Sequence, residues 1–386
     1  MAKPKTKLKK WQLLVFVMLL ITGLVWVLTP TFLKKAAIHQ LPGIHDYRLF
    51  HNRIVETGTP QPWPESTRYN QTLPDAHHLD SLHLMETTAF LVIQNDSILF
   101  EYYADGIEDT DISNSFSAAK SIVGLLIGCA IDDGYIKNVD EPVDELLPDY
   151  PNLHGKKLLL NHLLTMSSGS NWDEAYSTAF SITTKAYYGN NLPRLMKEVL
   201  IAEAPGETFS YRSGDTQLLA LILSRATGKT LSDYAAEKLW KPMGAETEAL
   251  WSLDKKNGME KAYCCFNSHA RDFARIGQLV LNKGAWQGQQ LVSETYLADA
   301  VRPASHLKDT KGKDVSYYGY QWWLMDYNNE LLPYARGILG QYIFIIPAQN
   351  AVIVRLGHLR SDTRIGEHPT DAYTWVNMGR AIMDQQ

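Results

Sequence analysis

The sequence predicts an α/β protein of the α+β kind. An antiparallel sheet is flanked by helices, interrupted by a mostly helical insertion, and preceded by one N-terminal transmembrane helix. Three observations carry this. Residues 11–33 hold no Asp, Glu, Lys or Arg, and about 20 apolar residues suffice to cross a bilayer core as a helix. Strand-like pairs stand at both ends of the remaining chain: Ala89–Gln94 with Ile98–Tyr103, and Tyr342–Ile346 with Ala351–Arg355. Each pair is joined by a turn-forming run, Asn95–Ser97 or Pro347–Asn350. Between them, from Asp132 to about Lys241, the pattern is mostly helical with loops.

Residues 1–10 read as a cytoplasmic basic tail, with Lys3, Lys5, Lys7, Lys9 and Lys10 and no acid. Residues 11–33 read as a signal anchor with Trp11 and Trp26 toward its ends, where aromatic belts form. The basic flank places the N-terminus in the cytoplasm and the rest outside, in the periplasm of a Gram-negative cell; Lys34 and Lys35 weaken that bias without reversing it. No clear small-x-small cleavage site follows, which favours an uncleaved anchor over a signal peptide. Residues 34–84 read as a connector carrying Pro60, Pro62, Pro64 and Pro74, with a weak strand at Tyr47–Val55. His77, His78 and His83 lack metal-ligand spacing and read as a solvated loop.

The catalytic body then runs over 85–386, with a helical subdomain at about 132–241. Its helical pieces are His162–Met166, Leu192–Leu200, Thr216–Thr227 and Leu231–Leu239. Gly228 ends the third, and Thr230 or Ser232 caps the fourth. His162 packs or caps within its turn, and Ala372–Met383 closes the chain as a helix.

Composition is that of a folded protein, 45% hydrophobic and 20% charged, and a net charge of −5 offers no basic face to nucleic acid. Cys129 sits in an apolar run and reads as core. Cys264 and Cys265 are adjacent, without zinc-like spacing, and read as structural packing rather than a redox or metal site.

The chemistry begins in Ser115–Ala130, where Ser117 and Lys120 stand three apart at the mouth of an apolar helix. That spacing puts both on one helix face. Serine needs a base nearby to act as a nucleophile, and a lysine of lowered pKa can be that base. A second cluster, Pro205–Leu219, holds Tyr211 and Ser213 just before a helix. A phenol beside an ammonium is expected to ionise more easily and to shuttle protons. A third, Ala335–Gln341, carries Gly337 and Gly340 into the late hairpin, where glycine lets substrate approach the backbone.

In this order the clusters resemble the serine β-lactamase and penicillin-binding-protein-like superfamily, on its class C, esterase and 6-aminohexanoate-dimer-hydrolase side. The resemblance covers about Leu84 to Met383, helped by the phrases His162–Gly169, Pro205–Tyr211 and Gly340–Pro347. It implies a sheet and a helical domain with the site between them. It implies Ser117 as nucleophile, Lys120 as general base and Tyr211 as proton partner of Lys120 and the leaving group. The backbone N–H groups of Ser117 and Ile338 would form the oxyanion hole. Ser213, Gly337, Trp172 with Tyr176, and Asn267 would line or contact substrate, with no metal and no cofactor.

One departure matters. Where β-lactamases carry Lys-Thr-Gly, this chain reads Ala335-Arg336-Gly337. The lost Lys and Thr help recognise a β-lactam or D-Ala carboxylate. Arg336 keeps a charge one step along, but strand alternation turns it to the opposite face. The expected activity is therefore hydrolysis of a small-molecule ester or amide by an exported, membrane-anchored serine hydrolase. The alternatives are a cell-wall D,D-carboxypeptidase or β-lactam binder, and a non-catalytic tethered binding protein.

Overall fold

The computed structural model describes residues 10–151, 155–176 and 178–384; most of the basic tail, residues 1–9, lies outside them. Helix α1 (Lys10–Leu28) has no buried residue and is long and apolar enough to cross a membrane. Helix α2 (Thr31–His39) follows after Pro30. The connector is then built into the body. Its strand β1 (Asn52–Val55) pairs with a strand two hundred residues on, Arg53 opposite Trp251. The histidine run is not a loop but helix α3 (Ala76–Leu84). Asp75 caps it by accepting from the His78 N–H at 2.8 Å, a role the notional loop hid.

The central sheet comprises β2 (Thr87–Gln94), β3 (Ser97–Tyr103), β7 (Trp323–Tyr327), β8 (Glu330–Gly337), β9 (Gln341–Ile346) and β10 (Ala351–Gly357). Their order is β7-β8-β9-β10-β2-β3, every pair antiparallel. The early hairpin thus completes the edge of a sheet made late in the chain, with Phe90 opposite Arg355. Its turn places Asn95 and Asp96 at φ 51° and 60°, which these two residue types tolerate. Both predicted hairpins stand within one or two residues of their expected ends.

Period-two alternation gives the sheet two apolar faces. Leu91, Ile93, Ile343, Ile345 and Val354 share one core with helices α4 (Ala119–Asp132) and α7 (Ala270–Leu281). Phe90, Val92, Phe344, Ile346 and Ile353 face α3 and the C-terminal helix α8 (Thr370–Asp384). Helices α7 and α8 each touch the sheet at a glycine. A Cβ on Gly277 would lie 2.6 Å from a Val352 methyl, and one on Gly379 would lie 2.3 Å from Ile353.

A second sheet, β1-β5-β6-β4, combines β5 (Ala249–Ser252), β6 (Phe266–Ser268) and β4 (Ser113–Asn114). It delivers the chain into α4. The helical insertion includes α5 (Ile182–Tyr188) and α6 (Ser213–Thr227). Gly228, at φ 69°, closes α6, and Thr230 caps the next turn by accepting from the Asp233 N–H at 3.1 Å. His162 accepts from the Leu159 N–H at 3.2 Å, a cap within its own turn.

Candidate active site

Strand β4 aims the turn that carries Ser117. The Ser115 N–H donates to the Phe266 carbonyl at 2.8 Å, and the Phe116 N–H to Asn114 Oδ1 at 2.9 Å. Phe116 is held at φ 45°, a left-handed conformation a bulky side chain adopts only under constraint. One 3-10 turn, Phe116–Ala118, leads into α4. Ser117 therefore stands at a helix start, where backbone N–H groups point outward. One turn on, Lys120 Nζ donates to Ser117 Oγ at 3.0 Å and to the Tyr263 carbonyl at 2.8 Å. Lys120 is 1% exposed. Burial lowers its pKa to about 8, against the opposing pull of the Glu174 charge.

Tyr211 arrives from the loop before α6, its ring centroid 5.0 Å from Lys120 Nζ. It is not the easily ionised phenol the sequence suggests. Burial raises its pKa, Glu174 raises it further, and a hydrogen bond from Ser117 only partly offsets this. The Tyr211 phenol therefore stays protonated at neutral pH. Ser213 opens α6 and bonds within the site: its Oγ and its N–H each donate to the Glu174 carboxylate at 2.6 Å. The Tyr176 hydroxyl donates to the same carboxylate. Glu174 escapes sequence reading because no spacing links a lone loop acid to Ser213; only the fold joins them.

Opposite Ser117 stands the end of β8. Gly337 leaves no room for a side chain: a Cβ there would lie 2.2 Å from the Ser115 carbonyl oxygen and 3.1 Å from Phe116 Cβ. Ile338 follows and lines the cleft beside Ser117. The turn continues through Leu339 at φ 62°, a costly conformation that needs an anchor. That anchor is Arg355 of β10, fully buried and in no ion pair among the described residues. Its Nη1 donates to the carbonyls of Leu339 (3.0 Å), Gly340 (2.8 Å) and Leu359 (2.9 Å), and its Nε to Thr87 Oγ1 (3.0 Å). Arg355→Met leaves buried acceptors unpaired, each worth about 1–3 kcal/mol. The expected result is a lower thermal unfolding midpoint, together with a loss of any turnover at temperatures where the variant stays folded.

Four expectations are corrected. Trp172 does not line the cleft. Its Nε1 donates to Thr183 Oγ1 at 3.0 Å, and its ring lies against Gly214, where a Cβ would come within 2.5 Å. Asn267 is fully buried in β6, its amide donating to the Leu250 and Cys265 carbonyls at 2.9 and 2.8 Å, so the sheet rather than a substrate takes its hydrogen bonds. Cys264 and Cys265 are not merely packed but joined to each other as a disulfide, with Cys265 at φ 68°. This turn presents the Tyr263 carbonyl to Lys120, and Cys264 lines the cleft. Finally, Arg336 does turn away from Ala335, but its face is the one on the cleft. Ala335 is fully buried in the core beneath α4, whereas Arg336 stacks 3.4 Å from the Trp323 ring and lines the cleft with Ser117 and Tyr211. Tyr176, from the Trp172 loop, does line it. Among the described residues no group of three or more His, Cys, Asp or Glu could hold a metal ion.

The chain is similar to several known proteins. The chain is 29% identical over 287 residues to the 6-aminohexanoate-dimer hydrolase of Paenarthrobacter ureafaciens, covering 70% of this chain and 72% of that protein. Its fold matches a Bacillus anthracis structure assigned as a 6-aminohexanoate-dimer hydrolase, with TM-score 0.70, 23% identity, and 88% and 92% of the two chains covered. It also matches a family VIII carboxylesterase, with TM-score 0.63, 16% identity, and 83% and 99% covered. A penicillin-binding protein from Bacillus halodurans gives TM-score 0.60, 17% identity, and 79% and 100% covered. At these identities the structural matches speak to the fold. The Beta-lactamase family model matches residues 83–372, a stretch that holds the Ser117, Tyr211 and Gly337 segments in order, and the chain belongs to that family.

Proposed function

We propose that this chain is a membrane-tethered serine hydrolase that cleaves an ester or amide through an acyl-enzyme on Ser117. The observation that carries the reading is the buried Lys120 Nζ 3.0 Å from Ser117 Oγ. A lysine with a pKa near 8 has a usable neutral fraction at physiological pH. Neutral Lys120 takes the Ser117 proton as Oγ bonds to the substrate carbonyl carbon. The N–H groups of Ser117 and Ile338 stabilise the oxyanion. The bond to the leaving oxygen or nitrogen then breaks, and Tyr211 supplies its proton, itself reprotonated from Lys120. Water, deprotonated by the same relay, releases the acid and restores Ser117. The names of the relatives, an amide hydrolase and a carboxylesterase, favour esters and amides. The apolar α1 and the basic residues before it support an anchor with its N-terminus in the cytoplasm and the catalytic body outside.

The test is intact mass of the full-length chain in detergent after treatment with a fluorophosphonate. One adduct is expected on the wild type and none on Ser117→Ala. Tyr211→Phe is expected to lower ester turnover by about 10²–10⁴-fold, the usual span for a positioned acid–base group. No wild-type adduct, or equal labelling of Ser117→Ala, would end the proposal.

A further inference from the structure

Ser117 lies between two lobes of opposite character. On one side a narrow slot, with about 40 Å³ of free volume, is walled by Phe116, Tyr187, Tyr188, Tyr263, Cys264 and Ile338. On the other side the cleft widens to about 240 Å³ and carries Arg336, Arg360 and Arg364. None of these three arginines forms an ion pair among the described residues. Arg336 and Arg364 instead donate to the Glu367 carbonyl, at 2.9 and 3.1 Å. Two acids, Glu174 and Glu367, share this lobe, so its three arginines outnumber them and leave it net positive. Glu174 is held by Ser213, and the Glu367 carboxylate faces Lys311 at 4.0 Å. After burial, the charges of Arg336 and Arg360 are what most lower the pKa of Arg364, so the three repel one another. An excess of cations facing one cleft favours an anion there.

The positions assign each lobe to a part of the substrate. Tyr211, the proton donor, lines the arginine lobe and not the slot. The leaving group therefore departs on the arginine side, and the acyl group lies in the slot. The slot is also where the membrane-proximal chain arrives. Gln40 and Pro42 line it, immediately after α2. Helix α2 packs on α5, which supplies Tyr187 and Tyr188, and the His39 ring stacks on Tyr188 at 6.2 Å. Only Thr29 and Pro30 separate α2 from the apolar helix α1.

We infer that the substrate is an anionic amphiphile, with an unbranched apolar acyl chain in the slot and a phosphate- or carboxylate-bearing leaving group among the arginines, drawn from the membrane surface. This rests on the acyl-enzyme reading above. So small a free volume favours a straight chain over a ring or branch. Each methylene buried contributes about 0.8 kcal/mol, close to fourfold in kcat/KM, until the slot is full.

The experiment uses the full-length chain in mixed micelles. Straight-chain acyl esters of 4-hydroxybenzoate are compared with those of the neutral 4-hydroxybenzamide, from acetyl to dodecanoyl, with a branched pivaloyl ester alongside. Expected are a rise of at least tenfold in kcat/KM with straight-chain length, a failure of the pivaloyl ester, and a preference of about tenfold or more for the anionic leaving group. In Arg336→Gln/Arg364→Gln that preference should collapse toward unity. Two further substrates, both acyl esters, separate the sources of the anion: lauroyl lysophosphatidylglycerol for phosphate and O-lauroylglycolate for carboxylate. Faster release of lauric acid from one names the source. A flat chain-length profile, or equal rates on anionic and neutral esters, overturns the inference. If Ser117 is still labelled by a fluorophosphonate in that case, the acyl-enzyme reading stands; loss of labelling would remove both.

Discussion

Lys120→Met is expected to abolish turnover and to stabilise the protein at the same time. The activity loss should be about 10²–10⁴-fold in kcat/KM for a simple ester, the span of a general base. The stability gain follows from linkage. The folded-state pKa of Lys120, about 8, lies below the ordinary value of 10.5 because burial disfavours the charged form. A lysine lowered in this way costs stability fully below pH 8, and the cost is relieved as pH rises from about 8 to 10.5. Methionine has similar volume and no charge to bury, at the loss of two hydrogen bonds, to Ser117 Oγ and to the Tyr263 carbonyl. Its unfolding midpoint should exceed wild type at pH 7, and the gap should close toward pH 10.5.

The same shift sets the wild-type rate profile. Only neutral Lys120 can accept the Ser117 proton, so kcat/KM should climb about tenfold per unit below pH 8 and level off above it. A profile flat from pH 6 to 9, or a Lys120→Met variant that keeps its turnover, would show that another group takes the proton. The second outcome would also leave the buried lysine without a functional reason for its cost.

What the sequence made legible follows from how local each signal is. Ser117 and Lys120 were readable because both lie on one helical turn, where three residues fix their proximity. Gly228 and the late hairpin were readable for the same reason. The extent of strand β8 beyond Ala335–Gly337 was not, because Pro333 and Arg336 break the apolar run that marks a central strand. The fold still accepts Pro333 there, opposite Leu324 of β7. Glu174 and Arg355 were invisible as site residues. One is a loop acid and the other a strand arginine, and each acquires meaning only from carbonyls or hydroxyls far away in the chain. Arg336 shows a subtler limit. Alternation correctly told its face from that of Ala335, but which face borders the cleft depends on α4 packing beneath Ala335. The cysteine pair is the opposite case: the residues were noted, but adjacency alone gave no way to read a bond between them.

Gly337→Ala is expected to lower kcat by about 10²–10³-fold, the usual effect of losing one oxyanion donor. The reason is distance rather than backbone conformation, since Gly337 sits at an extended φ of −114° that alanine adopts freely. Its Cβ would meet the Ser115 carbonyl oxygen at 2.2 Å, a backbone atom that no rotamer change can move aside. The strand end must retreat from the nucleophile turn, and the Ile338 N–H retreats with it. Ser117, Lys120 and Tyr211 keep their mutual geometry, because all three lie across the cleft from β8. The loss should therefore fall on kcat more than on KM, and the pH limb near 8 should persist at the reduced rate. Steady-state kinetics on a short neutral ester measure this without involving the arginine lobe. If Gly337→Ala instead raises KM alone, the Ile338 N–H binds ground state and transition state equally, and the oxyanion is stabilised elsewhere.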